Sequence, residues 1–408
     1  MLFKDIIGQK EVKQQLVDLV QHNRLSHALL FLGKEGTGTL PLALIFAQYI
    51  GITAHRQVQD TATTFLFDSD SIPADKTRGM PQSPEEADKW MLQQPAYSKV
   101  KDLVHPDIHF SYPVVTKKAG TPPISTDYIS EWREFIKSYP YGNIYDWLQF
   151  IGAENKQGNI TAYECNDIIR KLSLKSFESE YKILVMWMPE YLGNEGNKLL
   201  KLIEEPPPDT LFILVAENES LILPTILSRC QLITIPYLET KDIEEALVIR
   251  NKTDLEPARQ AASVSDGNYR EALQILRNAE DDWQSLLREW LNAILKTGPI
   301  AQTKWVEEIS RLGREKQKQF LRYFNHLLEQ AVRLRILSAD APNIPEKERD
   351  FAGRLNKIAD LAQQQVIIEE LDKAAYYIER NANAKILFHA LTIKLYHIIQ
   401  DKIVFLTS

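Results

Sequence analysis

The stretch ALLFLGKEGTGTLPLALIFAQY, residues 28–49, decides the fold of the first part of this chain. Its first five residues form an unbroken apolar run, which is typical of a buried strand. A glycine-rich turn follows, and residues 42–49 (LALIFAQY) then have the composition of a buried helix. Strand, glycine loop and helix in this order form the context in which a phosphate-binding loop occurs. We therefore predict an α/β domain built around these residues.

The glycine turn (GKEGTGTL) retains only part of the phosphate-loop pattern GxxxxGK[ST]. Gly33, Gly36, Gly38 and Thr39 are the candidate nucleotide-binding residues. Thr39, however, stands where the pattern has its lysine, and Leu40 stands where it has the magnesium-binding hydroxyl. Two interpretations stay open. The backbone amides still bind an anion, or the glycines are kept only because the turn needs them.

A second apolar run, residues 181–188 (YKILVMWM), predicts a strand buried on both faces. In a hydrolytic site of this type the strand ends with an Asp that orients magnesium and a Glu that polarises water. Trp187 and Met188 occupy those two positions, and neither can bind magnesium or accept a proton. Glu190 lies two residues past the strand, and we expect no catalytic role for it. Slow or absent ATP hydrolysis is therefore predicted.

The order of the elements predicts three parts. Residues 1–237 alternate apolar strands with helices, which indicates a parallel sheet with helices on both sides. Within this part, residues 107–115 are expected to form a strand and residues 52–104 an irregular or partly helical insertion. Residues 238–280 and 281–408 show only helical periodicity and are predicted to be two all-helical domains.

Composition and charge narrow the function classes. The chain has 408 residues, with 48 Lys and Arg against 55 Asp and Glu, a formal net charge of −7. Binding of nucleic acid by charge neutralisation is therefore not expected of this chain alone. Cys165 and Cys230 are the only cysteines and form no CxxC, so neither a disulfide nor a zinc site is predicted. His105 and His109 flank Pro106 in a strand-like segment, which disfavours a helical metal site.

No apolar run approaches the roughly 18 residues that a membrane span requires. The composition therefore favours a soluble, cytoplasmic protein.

Two arginines are candidates for contact with phosphate. Arg229 lies in LPTILSRC, residues 223–230. From there its rigid, charged guanidinium group could project across an interface and stabilise charge on the phosphoryl group of a nucleotide bound to a neighbouring chain. The alternative is an ordinary surface arginine paired with a carboxylate. Arg270 lies early in a predicted helix after Gly267, where it either meets a bound phosphate or is a solvated helix residue.

Several segments resemble the delta-prime subunits of bacterial DNA polymerase III clamp loaders, within the AAA+ clamp-loader family. The first two domains carry the most specific ones, and the last domain carries a weaker one. They are IIGQ at 6–9, LSHALLFLG at 25–33, HPDIHF at 105–110, NKLLKLIEEPPPDTLFILV at 197–215, TILSRCQ at 225–231 and IERNANAKILFHAL at 378–391.

This resemblance implies an AAA+ phosphate-loop core, a small helical lid and a helical collar for assembly. Such a subunit is a non-hydrolysing end-piece of a five-member ring. Motor subunits (gamma or tau-like) and a clamp-opening, delta-like subunit of that ring place a sliding clamp on primed DNA. Ser228, Arg229 and Cys230 match the family's SRC motif, which implies that Arg229 serves the adjacent motor subunit's ATP site in trans.

Two details bear on cofactors. Many relatives carry a four-cysteine zinc module, but residues 52–104 contain no cysteine, so no zinc is expected. Arg270 matches the lid arginine of active relatives, which leaves weak ATP or ADP binding without hydrolysis open, although no cofactor is required. Two alternatives remain: a slow motor-type ATPase like gamma or tau, and a stand-alone DNA-binding adaptor, which the acidic balance disfavours.

Overall fold

The chain folds into two compact units, Met1–Gln274 and Ile275–Ser408. The computed structural model describes residues 1–61, 80–117, 120–153, 156–277, 282–337, 346–379 and 382–401. Most of the predicted lid lies in the first unit. The finer division at residues 237 and 280 stays a prediction.

The first unit is built on a parallel sheet, as predicted. Within the described residues it has five strands, in the order β2-β3-β4-β1-β5. The strands are β1 (Ala28–Leu32), β2 (Ile108–Ser111), β3 (Lys182–Trp187), β4 (Thr210–Ala216) and β5 (Gln231–Thr234). All four neighbouring pairs run parallel, and Leu30 of β1 lies opposite Leu214 of β4 and Leu232 of β5. Every residue of β3 and β4 is buried, which explains their continuous apolar sequences.

Strand β2 is shorter than the predicted strand at 107–115. It ends at Ser111, and Val114 forms only an isolated antiparallel bridge with Asn159. Pro113 lies between them and has no N–H to donate to a sheet ladder, so the chain leaves the sheet there.

Helices cover both faces of the sheet. Side chains of β1 alternate between two clusters, with Leu29 and Phe31 in one and Ala28 and Leu30 in the other. The α-helices of this unit are α1 (Lys10–Gln21), α2 (Thr39–Thr61), α3 (Pro84–Leu92), α4 (Tyr97–Lys101), α5 (Ile129–Ser138), α6 (Ile144–Phe150), α7 (Ala162–Leu172), α8 (Asn197–Glu204), α9 (Pro224–Leu227), α10 (Thr240–Asn251), α11 (Leu255–Val264) and α12 (Tyr269–Arg277), the last of which runs past the unit boundary. Short 3₁₀ turns lie at Phe3–Asp5, Ser125–Tyr128, Pro189–Gly196 and Glu219–Leu221.

The predicted insertion is partly helical where it is described. Its first residues extend α2 to Thr61, and α3 and α4 follow from Pro84. Residues 62–79 of the insertion lie outside the described residues. Glycine loop, long helix and sheet thus form one continuous framework around the candidate site.

The second unit is all-helical in its described residues, as predicted. It contains α13 (Trp283–Asn292), α14 (Pro299–Arg311), α15 (Arg314–Leu337), α16 (Glu346–Ile358), α17 (Leu361–Glu379) and α18 (Ala384–Gln400), with a π-helical turn at Ala293–Thr297. Its core centres on the stacked rings of Trp290 and Trp305, whose centroids are 4.5 Å apart. Trp290 donates its indole N–H to the Thr392 hydroxyl. No helix in the described part of either unit is long and apolar enough to cross a membrane.

Candidate functional site

The glycines of the loop between β1 and α2 are required by the loop's own packing. Gly36 and Gly38 have φ angles of +73° and +90°, in the left-handed region that favours glycine. A Cβ at Gly36 would lie 1.8 Å from the side-chain oxygen of Asn268, and one at Gly33 would lie 2.4 Å from Oγ1 of Thr39. These contacts account for the glycines whether or not the loop binds an anion.

Thr39 and Leu40, which replace the lysine and the hydroxyl of the pattern, both point inward. Leu40 is 5% exposed and belongs to the hydrophobic core. Thr39 is 7% exposed, and its Oγ1 lies 2.9 Å from Oγ1 of Thr37. Because the Thr37 hydroxyl donates its hydrogen to the Lys34 carbonyl, Thr39 is the donor of this second bond. Both residues line the depression beside the loop, but the Thr39 hydroxyl is engaged with Thr37 and Leu40 has no polar side-chain group, so neither supplies the charge or the magnesium-binding hydroxyl of the pattern.

The loop borders a depression of about 310 Å³, a volume that includes its open mouth. The lining includes Lys34, but also Glu35, Glu217 and Trp187. Two carboxylates against one ammonium make an unfavourable electrostatic setting for a polyphosphate.

Trp187, at the position predicted for a magnesium-binding aspartate, belongs to the aromatic core. It is 3% exposed, and its ring centroid lies 5.3 Å from that of Trp132 and 6.1 Å from that of Phe135. Met188 is also buried and has a φ of +59°, which is unusual for a residue with a side chain. The end of β3 is thus built for packing.

Glu190 connects the ends of two strands. One of its carboxylate oxygens accepts hydrogen bonds from the backbone amides of Glu217 and Asn218, at 2.6 and 2.9 Å. Burial raises the pKa of Glu190 above its ordinary value, and the backbone hydrogen bonds oppose that rise. These contacts describe a carboxylate that holds the turn after β4 next to the end of β3.

Arg270 is buried, so the solvated alternative for it is wrong. Its side chain binds the Asp146 carboxylate in a bidentate manner, with N–O distances of 2.5 and 2.7 Å. A second carboxylate, that of Glu35 in the glycine loop, lies 3.8 Å from the guanidinium. Arg270 is 4% exposed, and carboxylates of the same chain pair with its guanidinium. Its positive charge is therefore already neutralised within the chain and does not face a phosphate.

Glu35 is fixed in turn by two amide side chains. Asn143 donates to one of its oxygens at 2.8 Å, and Asn268 donates to the other at 3.1 Å. We call these five residues the loop network: Glu35, Asn143, Asp146, Asn268 and Arg270. They join the glycine loop to the start of α6 and the start of α12.

Arg229 lies elsewhere, just after the short helix α9, and does not contact the loop network. Its guanidinium is 2.6 Å from a carboxylate oxygen of Glu204, at the end of α8. It also donates to the carbonyl of Thr225 at 2.7 Å and to the hydroxyl of Ser228 at 3.2 Å. The side chain is 36% exposed. The carboxylate pairing considered for Arg229 is therefore present, whereas the role in trans stays a prediction.

The neighbours of Arg229 have structural contacts. Ser228 donates its hydroxyl hydrogen to the Thr225 carbonyl at 3.2 Å. Burial raises the pKa of the Cys230 thiol to about 11, so the thiol is protonated at neutral pH and is a poor nucleophile. Cys230 packs against the hydrophobic cluster on its side of the sheet.

The HPD segment before β2 also has a structural contact. The Asp107 carboxylate accepts three backbone N–H groups, from Phe177, Glu178 and Ser179, at 2.6 to 2.8 Å. Burial lowers the pKa of His109. Within the described ranges, no three His, Cys, Asp or Glu side chains are grouped to hold a metal ion.

Sequence comparisons agree with the resemblance seen in the motifs. Residues 84–239 match the family model described as DNA polymerase III, delta subunit. The DNA polymerase III subunit delta′ of Bacillus subtilis (strain 168) is 26% identical over 274 residues, which cover 67% of this chain and 60% of that protein. The subunit tau of the same organism is 24% identical over 339 residues, covering 80% of this chain and 46% of tau. The chain thus spans about half of the length of these relatives.

A solved structure of the Thermotoga maritima RuvB Holliday junction branch migration motor aligns with 86% of this chain and 84% of that one. The identity is 12% and the TM-score is 0.35, a similarity too low to bear on function. The sequence matches confirm the resemblance to clamp-loader delta-prime subunits. The architecture is a parallel five-stranded sheet between helices, followed by helices alone, in the described residues.

Proposed function

We propose that this chain is a non-hydrolysing, delta-prime-like subunit of a DNA polymerase III clamp loader. In this role it acts as a stator, a rigid end-piece of a ring with gamma or tau-like motor subunits and a delta-like, clamp-opening subunit. The complex loads a sliding clamp onto primed DNA during replication. The chain supplies Arg229 in trans to a neighbouring motor subunit and contributes its helical second unit to assembly.

The observation that carries the proposal is the state of the glycine-loop site. Thr39 and Leu40 point inward, and Trp187 fills the aromatic core at the end of β3. The lysine, the magnesium-binding hydroxyl and the acidic pair of a hydrolytic site are therefore replaced by groups with other contacts.

The loop network argues further against a tightly bound nucleotide. Arg270 already has a bidentate carboxylate partner, and Glu35 adds a second negative charge beside the loop. A triphosphate would have to displace Asp146 and overcome repulsion from Glu35. The residues present do not fit ATP, so at most weak binding through the backbone amides is expected.

Arg229 is suited to act on another chain. A guanidinium has five N–H donors, and the contacts with Glu204, Thr225 and Ser228 use three of them. The side chain lies at the surface, where an incoming phosphate can reach the remaining donors. A positive charge placed in this way stabilises the charge that develops on a transferring phosphoryl group.

The isolated chain tests the non-hydrolysing role. We expect weak binding of a fluorescent ATP analogue and no phosphate release above background, with and without magnesium. Tight, magnesium-dependent binding with turnover would instead favour a slow motor ATPase, the alternative that the match to tau supports. Salt-sensitive binding of the purified chain to primed DNA would favour the stand-alone adaptor.

Assembly is tested separately, by co-purification with candidate motor and clamp-opening subunits followed by native mass measurement. A complex that contains this chain supports the proposal. A chain that remains monomeric with every candidate subunit contradicts it.

A further inference from the structure

The inference in this section rests on the proposed role of Arg229 in trans and adds a second residue to it. We propose that Glu204 is a positioning residue, which holds the Arg229 guanidinium in the orientation that the neighbouring subunit's phosphate meets. Glu204 itself contacts neither that phosphate nor the water that attacks it.

Glu204 and Arg229 come from separate elements that the fold brings together. Glu204 is the last residue of α8, directly before Glu205 and three prolines, so its backbone position is tightly constrained. Arg229 follows α9 after one residue. Their charged groups lie 2.6 Å apart, with the carboxylate 41% exposed. The pair is therefore accessible at the surface and joins the ends of two neighbouring helices.

The location of Glu204 is not explained by helix stability. The carboxyl end of a helix carries a partial negative charge, which disfavours an acidic residue in the last turn. Prolines that follow it prevent the helix from continuing. The guanidinium of Arg229 offsets this unfavourable charge, so the contact with Arg229 gives Glu204 its favourable partner at this site.

Two contacts hold the arginine from opposite sides. One terminal nitrogen binds Glu204, and the other donates to the Thr225 carbonyl and the Ser228 hydroxyl. A free arginine side chain samples many rotamers, and ordering it costs conformational entropy when it must meet a phosphate. Fixing both terminal nitrogens in advance removes part of that cost from the catalytic step.

A carboxylate beside Arg229 also has an unfavourable effect, because its negative charge reduces the positive potential at the phosphate. The two effects predict opposite results. If orientation dominates, removal of Glu204 lowers hydrolysis by the neighbour. If masking of charge dominates, the same removal raises hydrolysis. Solvent screens the effect of the Glu204 charge at the more distant phosphate more strongly than the direct 2.6 Å contact with Arg229, so we expect orientation to dominate.

The test measures steady-state ATP hydrolysis by the assembled complex on primed DNA, with kcat and KM determined separately. The part of kcat that depends on Arg229 is the difference between the wild type and Arg229→Ala. Glu204→Ala should remove most of this part, roughly tenfold at the affected site, with KM unchanged. Glu204→Gln should retain most of it, because the amide oxygen still accepts a hydrogen bond.

Two controls distinguish positioning from a structural role. Glu205→Gln makes the same change of charge one residue away and should leave kcat unchanged. The double variant Glu204→Ala with Arg229→Ala should be no slower than Arg229→Ala alone, because Glu204 acts only through the arginine. Circular dichroism and native mass confirm that each variant folds and assembles. If Glu204→Ala fails to assemble, Glu204→Asp withdraws the carboxylate by one methylene and should lower kcat in the same direction.

The outcomes separate this inference from the proposed function. If kcat is unchanged or raised in Glu204→Ala but lowered in Arg229→Ala, the role of Glu204 is overturned and the role of Arg229 in trans remains. If kcat is unchanged in Arg229→Ala, the role of Arg229 in trans is overturned, and with it the role of Glu204. An additive double variant shows that Glu204 acts independently of Arg229 and also overturns the inference.

Discussion

The contacts of the loop network predict how much the substitution Asp146→Asn lowers the free energy of unfolding. The change Asp146→Asn keeps the size of the side chain and an oxygen that can accept the Asn143 N–H at the start of α6, but removes the charge that binds Arg270 in a bidentate manner. Breaking a buried ion pair by removing one partner costs about 3 to 5 kcal/mol. Glu35 remains 3.8 Å from the guanidinium and offsets part of the loss, so we expect about 3 kcal/mol.

The measurement is the free energy of unfolding of the first unit, taken from urea titrations and from hydrogen exchange in α6 and α12. A loss of about 3 kcal/mol corresponds to roughly a hundredfold faster exchange for amides that open with this unit. The control is Asp102→Asn, the same chemical change at an exposed pair with Lys137, which should cost less than about 1 kcal/mol.

Two results would refute this reasoning. If Asp146→Asn and Asp102→Asn have equal small effects, the loop network does not hold the glycine loop and α12 together. If Asp146→Asn stabilises the unit, the cost of burying the Asp146 carboxylate exceeds its attraction to Arg270, and the pair does not stabilise the fold.

Three further predictions concern other groups. Arg229→Ala should change the free energy of unfolding by less than about 1 kcal/mol, because its ion pair is exposed, and should lower DNA-stimulated hydrolysis by the complex. Arg259→Ala, at another exposed arginine, should leave hydrolysis unchanged. Trp187→Asp should lower the free energy of unfolding by at least about 3 to 5 kcal/mol in urea titrations, since it removes a buried ring and buries a carboxylate. A variant that gains ATP hydrolysis without losing stability would contradict the packing role of Trp187. Burial lowers the pKa of Lys13 to about 8, so the unfolded chain binds more protons between about pH 8 and 10, and stability should rise with pH in that window. Lys13→Met should flatten this rise in urea titrations, and an equally steep rise in that variant would assign it to other groups.

The parts of the fold that the sequence predicted are those with continuous apolar runs. Strands β1 and β4 were clear because every residue faces a packed layer on one side or the other. Strand β5 was missed because it lies at the sheet edge and only Ile233 is buried, so it has no apolar run. The replacement of the lysine and carboxylates of the hydrolytic pattern is also visible at fixed positions in the sequence, but its effect on hydrolysis stays a prediction.

The contacts of the candidate site were not readable in the same way. Asp146 and Arg270 are 124 residues apart, and no periodicity relates an acid in one helix to a base in another. Glu35 is a charged residue in a loop whose pattern specifies only glycines, so its role in binding Asn143 and Asn268 left no signal. Burial of Arg270 follows from the tertiary packing of α6 and α12 around the loop.

The different surroundings of the two arginines decide which one can serve a partner. Moving the Arg270 side chain out of its site would break a buried ion pair, at a cost of about 3 to 5 kcal/mol. This cost would oppose any use of the Arg270 charge on a phosphate. Arg229 has a surface ion pair, which contributes at most about 1 kcal/mol, and it has N–H donors beyond the three that its internal contacts use. A phosphate offered by a neighbouring chain can therefore bind the remaining donors of Arg229 while Glu204 stays in contact with the guanidinium, with little loss of internal stability. Because the guanidinium with the weaker internal hold is the one at the surface, we expect any charge that this chain lends in catalysis to come from Arg229.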